Sequence, residues 1–292
     1  MRLAFLTCLV LIAFAGNSVL ARLALASGDI GPWAFSLIRF VSGAGILLLL
    51  SAPKHSWPAG NWTAAAALCA YGVFFSFAYL QLAAGTGALL LFAAVQLTML
   101  AAAFSRGERL SALQVIGLVF AMGGLIYLLS PSIEAPPLFG AAMMIISGVG
   151  WGLYSVLGAG AGSAIARTSG NFSRAAILLV LATPLILIAL PVILPGTLPA
   201  TLADPLPNLM GTGLAVLSGT VTSGLGYALW YSVLRHISVT TAAISQLSVP
   251  VIAAIGGAVF ILEPVTWSFA IACIIVLLGV GIATIKMPGS SD

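Results

Sequence analysis

Polar residues punctuate long apolar runs along this chain. Ten such runs occupy approximately residues 3–21, 32–51, 62–83, 87–104, 111–130, 138–158, 172–193, 209–233, 239–260 and 266–285. Each is near the roughly 20 residues that an α-helix needs to cross a bilayer. The breaks carry turn chemistry: "ASGDIGP", "APKHSWPAG", "SRGER", "SPSIEAPP", "LPGTLPATLADPLP" and "LEPV". They are short, so no soluble domain is inserted. The first run, opening "MRLAFLTCLVLIAFAG", resembles a secretory leader. It stays apolar to about Ala21, however, and the next run follows closely, so it is read as a first transmembrane helix.

Composition agrees with this pattern. The chain is 61% hydrophobic and 5% charged, with six acids and ten bases. That is too little charge to coat a folded surface in water. The fold class expected is an all-α integral membrane protein of ten transmembrane helices, with the lipid bilayer as its main solvent. A nucleic-acid partner would need clustered bases, which are absent. Cys8, Cys69 and Cys273 lie in apolar runs without metal-ligand spacing and read as small buried hydrophobes.

Charge placement tests the count. With the N-terminus inside, the inner loops and ends hold Arg2, Lys54, Arg106, Arg109, Arg167, Arg174, Arg235 and Lys286. The outer loops hold Asp29, Glu134, Asp204 and Glu263, with Arg22 at the outer end of the first helix. The excess of bases inside predicts both termini in the cytoplasm. Trp33, Trp57, Trp62 and Trp267 fall at segment ends, where headgroup anchoring is expected; Trp151 and Trp230 do not.

The chain also echoes itself. "ERLSALQVIGLVFAMGG" (108–124) matches "EPVTWSFAIACIIVLLG" (263–279) at an offset of 155, pairing Glu108 with Glu263 and Gly124 with Gly279. "FAGNSVLA" loosely resembles "WGLYSVLG", and Gln96 and Gln246 lie 150 residues apart. Residues 1–131 and 136–292 therefore read as two five-helix repeats within one transport unit. Five is odd, so equivalent helices cross in opposite senses. An inverted repeat of this kind is a transporter signature.

These features resemble the drug/metabolite transporter superfamily, in its EamA-type branch. The resemblance rests on "LIRFVSGAGILLL", "GTGALLLFAAVQLTM", "RGERLSALQVIGLVFAMGG", "GWGLYSVLG" and "QLSVPVIAAIGGAVFILEPVTW", taken in that order. "GTGALLLFAAVQLTM" looks most like the YddG-type exporters of aromatic amino acids. That likeness implies a bacterial inner-membrane exporter with a central cavity between the halves. One departure is visible: Pro250 has no counterpart in the first half.

Intramembrane polar residues are the default functional candidates. Gln96 and Gln246, each followed by Leu and a hydroxyl residue, are either interhelical glue or cavity lining; their recurrence favours the cavity. Ser245 belongs with them. Asn17 reads as helix glue, and Arg39 as snorkelling outward or pairing with a carbonyl. Aromatic stripes mark helix faces: Tyr71, Phe75 and Tyr79; Trp151 and Tyr154; Tyr227 and Tyr231; and Phe92 with Gln96 and Met99. The candidate substrate site is thus Gln96, Gln246, Tyr71, Tyr79, Phe92, Met99, Trp151, Tyr154, Tyr227 and Ser245. It suits a small zwitterionic or neutral solute with an apolar side chain. "GVGWG" and "GAGAG" should allow close helix approach, and Pro184 and Pro250 are expected kinks.

No acid lies mid-segment, and His55 and His236 fall in inner loops, which points to uncoupled movement. No catalytic motif appears, so no enzyme is expected, nor any cofactor or metal. A scramblase would need a polar groove open to lipid, and a phosphorylated-sugar carrier a basic centre that Arg39 alone does not make. The expected unit is a monomeric exporter of amino acids and related metabolites.

Overall fold

The computed structural model describes residues 2–51, 53–105, 112–129, 135–158, 163–186, 207–234, 236, 245–246 and 248–283. Among these residues every regular element is helical. In chain order they are α1 (Arg2–Ala26), α2 (Pro32–Ser51), α3 (Pro53–Ala59), α4 (Trp62–Ala78), α5 (Ala84–Ser105) and α6 (Ala112–Leu129). Then come α7 (Leu138–Gly158), α8 (Ala164–Pro184), α9 (Leu209–Leu217), a π-helical segment (Ser218–Leu225), α10 (Gly226–Leu234), α11 (Val249–Phe260) and α12 (Trp267–Ala283). Arg106, Glu108, Arg109, Glu134, Asp204, Arg235, Lys286 and the last four residues of "GAGAG" lie outside the described residues.

Apolar length explains the helices, since unpaired backbone cannot face hydrocarbon. Leu3–Ala26, Pro32–Ser51, Leu138–Leu157 and Leu209–Val233 are each long and apolar enough to cross a membrane, and α3 with α4 makes a fifth if taken as one bent span. Ala84–Met99, Val115–Leu129, Val249–Phe260 and Trp267–Gly279 are shorter apolar helices. The architecture is that of a multi-pass membrane protein. Polar caps set the helix starts: Asn61 Oδ1 accepts from the Thr63 and Ala64 N–H groups, Asn208 Oδ1 from Gly211, and Thr266 Oγ1 from Phe269.

Several expectations change. "APKHSWPAG" is not a simple break: it forms α3, set at 94° to α4. Arg174 holds it there, donating from Nη2 to the Trp57 carbonyl at 2.8 Å and lying 4.1 Å from the Trp57 ring centroid. Arg174 therefore lies beside the break that holds Lys54, packed and not exposed. It is buried on α8, which begins at Ala164, well before the apolar run that predicts it. The polar start of α8 (Thr168, Ser169, Asn171) is buried against other helices, and so it has no need of apolar character. Trp33 is buried rather than anchored at headgroups, its Nε1 donating to Thr183 Oγ1 at 3.1 Å. Pro250 sits in the first turn of α11, where its missing N–H breaks no helical bond of that helix. Pro184 is the last residue of α8. Cys273 is buried, but Cys8 is exposed on α1.

The helices pack in a definite set of pairs. α4 and α5 both pack on α7, and α1 packs on the α9–π–α10 rod and on α11. α2 packs on α8 and on the π segment, α4 on α8, α5 on α11, and α6 on α12. The glycines of "GVGWG" make the α7 contacts close. A Cβ at Gly148 would stand 2.7 Å from the Leu91 carbonyl oxygen on α5, and one at Gly150 would stand 2.8 Å from the Tyr71 nitrogen on α4. At the α6–α12 contact, Gly124 faces Val276 and Gly279 faces Ala121.

At one end of the bundle Asp29 joins the α1–α2 turn to the start of α9, accepting from Ser27 Oγ and Asn208 Nδ2, both at 2.6 Å. These bonds, Ser27 first, hold its carboxyl below the usual value near 3.8. Their contribution is present above that value and is lost as acid protonates the group.

Gly150→Ala should destabilise the protein by about 1–3 kcal/mol, because backbone on α4 cannot yield. Gly123→Ala, which meets open space, should stay within about 0.5 kcal/mol. Thermal unfolding in detergent compares the two.

Candidate functional site

The centre of the bundle is a cluster of aromatic rings drawn from α1, α4, α7, α8 and α10. Trp151 lies 4.7 Å from Tyr227 and 5.0 Å from Tyr71 between ring centroids. Phe14 meets Tyr227 edge-on at 5.7 Å and Trp230 at 5.6 Å, and Phe172 meets Tyr227 at 5.6 Å. Edge-to-face and offset geometries of this kind each contribute about 0.5–1.5 kcal/mol beyond area burial.

Polar groups converge on the same point. Arg39 is 1% exposed and does not snorkel. Its Nε donates to Ser223 Oγ at 3.0 Å and its Nη2 to Tyr71 Oη at 2.9 Å, while Tyr227 Oη stands 3.5 Å off, at the outer limit of a hydrogen bond. The guanidinium also lies 4.9 Å from the Phe75 ring centroid and 5.1 Å from that of Tyr71. Its Nη1 has no partner among the described residues. Asn17 is more than interhelical glue: its Nδ2 donates to Tyr71 Oη at 3.3 Å, and its Oδ1 accepts from Ser218 Oγ at 2.6 Å. Tyr227 Oη and Tyr71 Oη are 3.2 Å apart.

The π segment makes this convergence possible. Its Ser218 and Ser223 reach Asn17 and Arg39 respectively, and Tyr227 follows directly on α10. Gly219 lets the segment approach α2, since a Cβ there would stand 2.3 Å from the Arg39 carbonyl oxygen. π-Helical turns inside helices are frequent at functional sites.

A cavity of about 20 Å³ lies here, lined by Phe14, Asn17, Ser18, Tyr71, Phe75, Leu91, Phe92, Trp151 and Tyr227. That is room for about one water. Of the residues expected from sequence, Tyr71, Phe92, Trp151 and Tyr227 form its wall. Tyr79 packs behind Phe75 at 4.7 Å, and Tyr154 behind Trp151 at 5.5 Å. Gln96 and Met99 are half-buried further along α5, and Ser245 and Gln246 are half-buried ahead of α11; none of these four lines the cavity. The candidate set left out Phe14, Asn17, Ser18, Phe75 and Leu91 of the wall, and Arg39 behind it. The signal available for Phe14 was its place opposite Trp151 in the "FAGNSVLA"/"WGLYSVLG" echo.

A second feature closes one end of the bundle. Arg22 Nε on α1 pairs with Glu263 Oε1 at 2.7 Å, and its Nη1 donates to the carbonyls of Tyr79 and Leu80. Glu263 Oε2 accepts from the Ala84 N–H at 2.8 Å. Glu263 therefore caps the start of α5, not of α12. Leu262 beside it holds φ at 60°, a left-handed conformation that costs a non-glycine residue of order 1–2 kcal/mol. The clasp borders a 270 Å³ pocket that Gln81, Thr86 and Phe269 also line. Gln81 accepts from the Gly140 N–H at the start of α7.

Among the described residues no cluster of His, Cys, Asp or Glu could hold a metal ion. Burial, aromatic lining and neutral hydrogen-bond groups suit the reversible binding of a small solute.

Comparison with known proteins agrees with this class. Residues 138–285 match the EamA-like transporter family. A protein of Pseudomonas aeruginosa described as uncharacterized is 46% identical over 289 residues, covering 96% of this chain and 94% of the relative. A protein of Archaeoglobus fulgidus described as an uncharacterized transporter is 23% identical over 218 residues, covering 74% of this chain and 73% of the relative. A solved crystal structure shares the fold, with a TM-score of 0.60 at 21% identity over 94% of this chain and 97% of that one. The chain belongs to the EamA-like transporter family, whose members are membrane transporters of small solutes.

Glu263→Ala should destabilise the protein by about 2–3 kcal/mol, since it strands Arg22 Nε and the Ala84 N–H together. Glu263→Gln should cost less, because an amide oxygen still accepts from Ala84. Thermal unfolding of both variants beside Arg22→Ala gives the order.

Proposed function

We propose that the protein is a secondary transporter that exports amino acids with aromatic or other apolar side chains, and related metabolites, across the cytoplasmic membrane. It works by alternating access as a monomer, in the manner of YddG-type exporters. One observation carries this reading: ring faces and hydrogen-bond donors from both halves of the chain meet at a buried central cavity.

The ten crossings form two inverted five-helix repeats, residues 1–131 and 136–292, with both termini in the cytoplasm. The helix pairs support this. Exchanging α1 with α7, α2 with α8, α4 with the α9–π–α10 rod, α5 with α11 and α6 with α12 turns the observed pairs into one another. The contact of Gly124 with Val276 becomes that of Gly279 with Ala121 at the same offset of 155 residues. Phe14 meets Trp151, and Tyr71 meets Tyr227 across 156 residues, as near-equivalent side chains beside one axis.

A cavity of about 20 Å³ is too small for an amino acid, so substrate enters in another arrangement of the halves. The Arg22–Glu263 clasp, which ties α1 to the α11–α12 turn and the start of α5, is the outer contact that opens. Gln96 follows Phe92 by one turn on the same face of α5 and borders the path towards the cytoplasm. Gln246 and Ser245 stand at the corresponding place in the second half. With no acid or histidine at the cavity wall, movement follows the solute gradient without proton coupling.

Counterflow of labelled phenylalanine in reconstituted vesicles should proceed equally with and without an imposed pH gradient. Strict dependence on that gradient would show coupling instead. Gln96→Leu should slow counterflow several-fold yet change stability by less than about 0.5 kcal/mol, because Gln96 makes no hydrogen bond to another described residue. Unimpaired counterflow in this variant removes Gln96 from the path.

A further inference from the structure

Arg39 is a buried cation with no buried anion to meet it among the described residues. The described acids are Asp29 and Glu263; Asp29 is bonded to Ser27 and Asn208, and Glu263 to Arg22 and Ala84. Among the described residues Arg39 touches only neutral hydroxyls and ring faces. A guanidinium cannot shed its proton to escape this position, and an uncompensated buried charge costs several kcal/mol.

Donors also outnumber acceptors around it. A phenol oxygen has room for two donors beside its own proton. Three groups approach Tyr71 Oη: Arg39 Nη2, Asn17 Nδ2 and Tyr227 Oη. With Arg39 and Asn17 in place, the two phenols share one hydrogen bond between them, which leaves one phenolic proton without a described acceptor. Arg39 Nη1 is unpaired as well. Asn17 Oδ1 is taken by Ser218 and approached by Thr222. A ligand that completes such a site must accept hydrogen bonds, donate none, and bring negative charge.

We infer that the cavity recognises the carboxylate of its substrate through Arg39, Tyr71 and Tyr227, and that an α-ammonium group is tolerated rather than required. The inference deepens the transport reading of the same site and rests on it. A carboxylate is acceptor-only and matches a guanidinium in charge and geometry. One cation among neutral donors balances a single negative charge, whereas a phosphate monoester would bring nearly two. Among the described residues the cavity wall has no carboxylate to meet an ammonium, only ring faces such as Phe75, Phe92 and Trp151 that can tolerate one. The guanidinium stands one hydrogen bond behind this wall, so expansion of the cavity brings the two together. The substrate class is therefore aromatic and apolar monocarboxylates, with amino acids as one group within it.

Four ligands of one shape separate the possibilities: 3-phenylpropionate, phenylalanine, phenethylamine and 3-phenylpropan-1-ol, titrated calorimetrically against the purified wild-type protein in detergent. Both carboxylates should bind, and the amine and the alcohol at least about tenfold more weakly. Arg39→Gln should bring the carboxylates down to the level of the alcohol, and Tyr71→Phe should weaken them less. The wild-type series stands even where a variant fails to fold. Equal binding of phenethylamine and 3-phenylpropionate, or binding of none of the four, overturns the inference. Phenylalanine counterflow that 3-phenylpropionate does not inhibit also overturns it, while leaving transport intact. Carboxylate-selective binding without counterflow would instead overturn the transport reading.

Discussion

A guanidinium at the centre of an apolar bundle constrains everything around it. Arg39 cannot be neutralised and cannot reach water, so its N–H groups must be met within the protein or by what the protein binds. Tyr71 from α4, Ser223 from the π segment and Tyr227 from α10 supply part of that requirement. Each partner lies on a different element, and so the bond set ties α2 to both halves of the chain. The π segment is the clearest consequence. It rearranges one rod so that Ser218, Ser223 and Tyr227 all point to the place where α1, α2 and α4 present Asn17, Arg39 and Tyr71.

The rest of the fold suits the proposed repeat about this centre. On the proposed repeat the helix pairs are exchanged by swapping halves, and Phe14 with Trp151 and Tyr71 with Tyr227 are near-equivalent side chains in contact. Arg39 breaks the balance. The comparable base on α8, Arg174, faces away from the cavity and holds α3 through the Trp57 carbonyl and ring. α2 and α8 thus carry their cations to different tasks, one beside the central cavity and one against α3. The clasp of Arg22 and Glu263 is likewise found at one end of the bundle only among the described residues, which gives the two ends different contacts to break.

Much of this was legible in the sequence. The apolar runs overlap every long described helix, though α8 begins before its run, and "GVGWG" marks the helix that wedges against α4 and α5. The order of the family motifs along the chain is that of the EamA-type branch, to which residues 138–285 match. Tyr71, Phe92, Trp151 and Tyr227 were found from aromatic spacing alone, because helix period decides which side chains share a face. Gln96 and Gln246 drew attention as rare amides in apolar runs, yet neither lines the cavity. Rarity shows that a polar group needs partners; it does not say where they are.

Arg39 shows the limit most plainly. Near the outer half of an apolar helix, snorkelling and burial leave the same trace in sequence, and only the partners on α4 and the π segment distinguish them. The same holds for Arg174, whose burial depends on α3 folding over it, and for Glu263, which caps a helix 179 residues earlier in the chain. What the sequence determined by itself was the solvent and the apolar segments, since these follow from hydrophobicity along one chain. Which polar groups meet, how small the cavity is and which charge stands unpaired were decided by tertiary structure, because those depend on contacts between residues far apart in the chain.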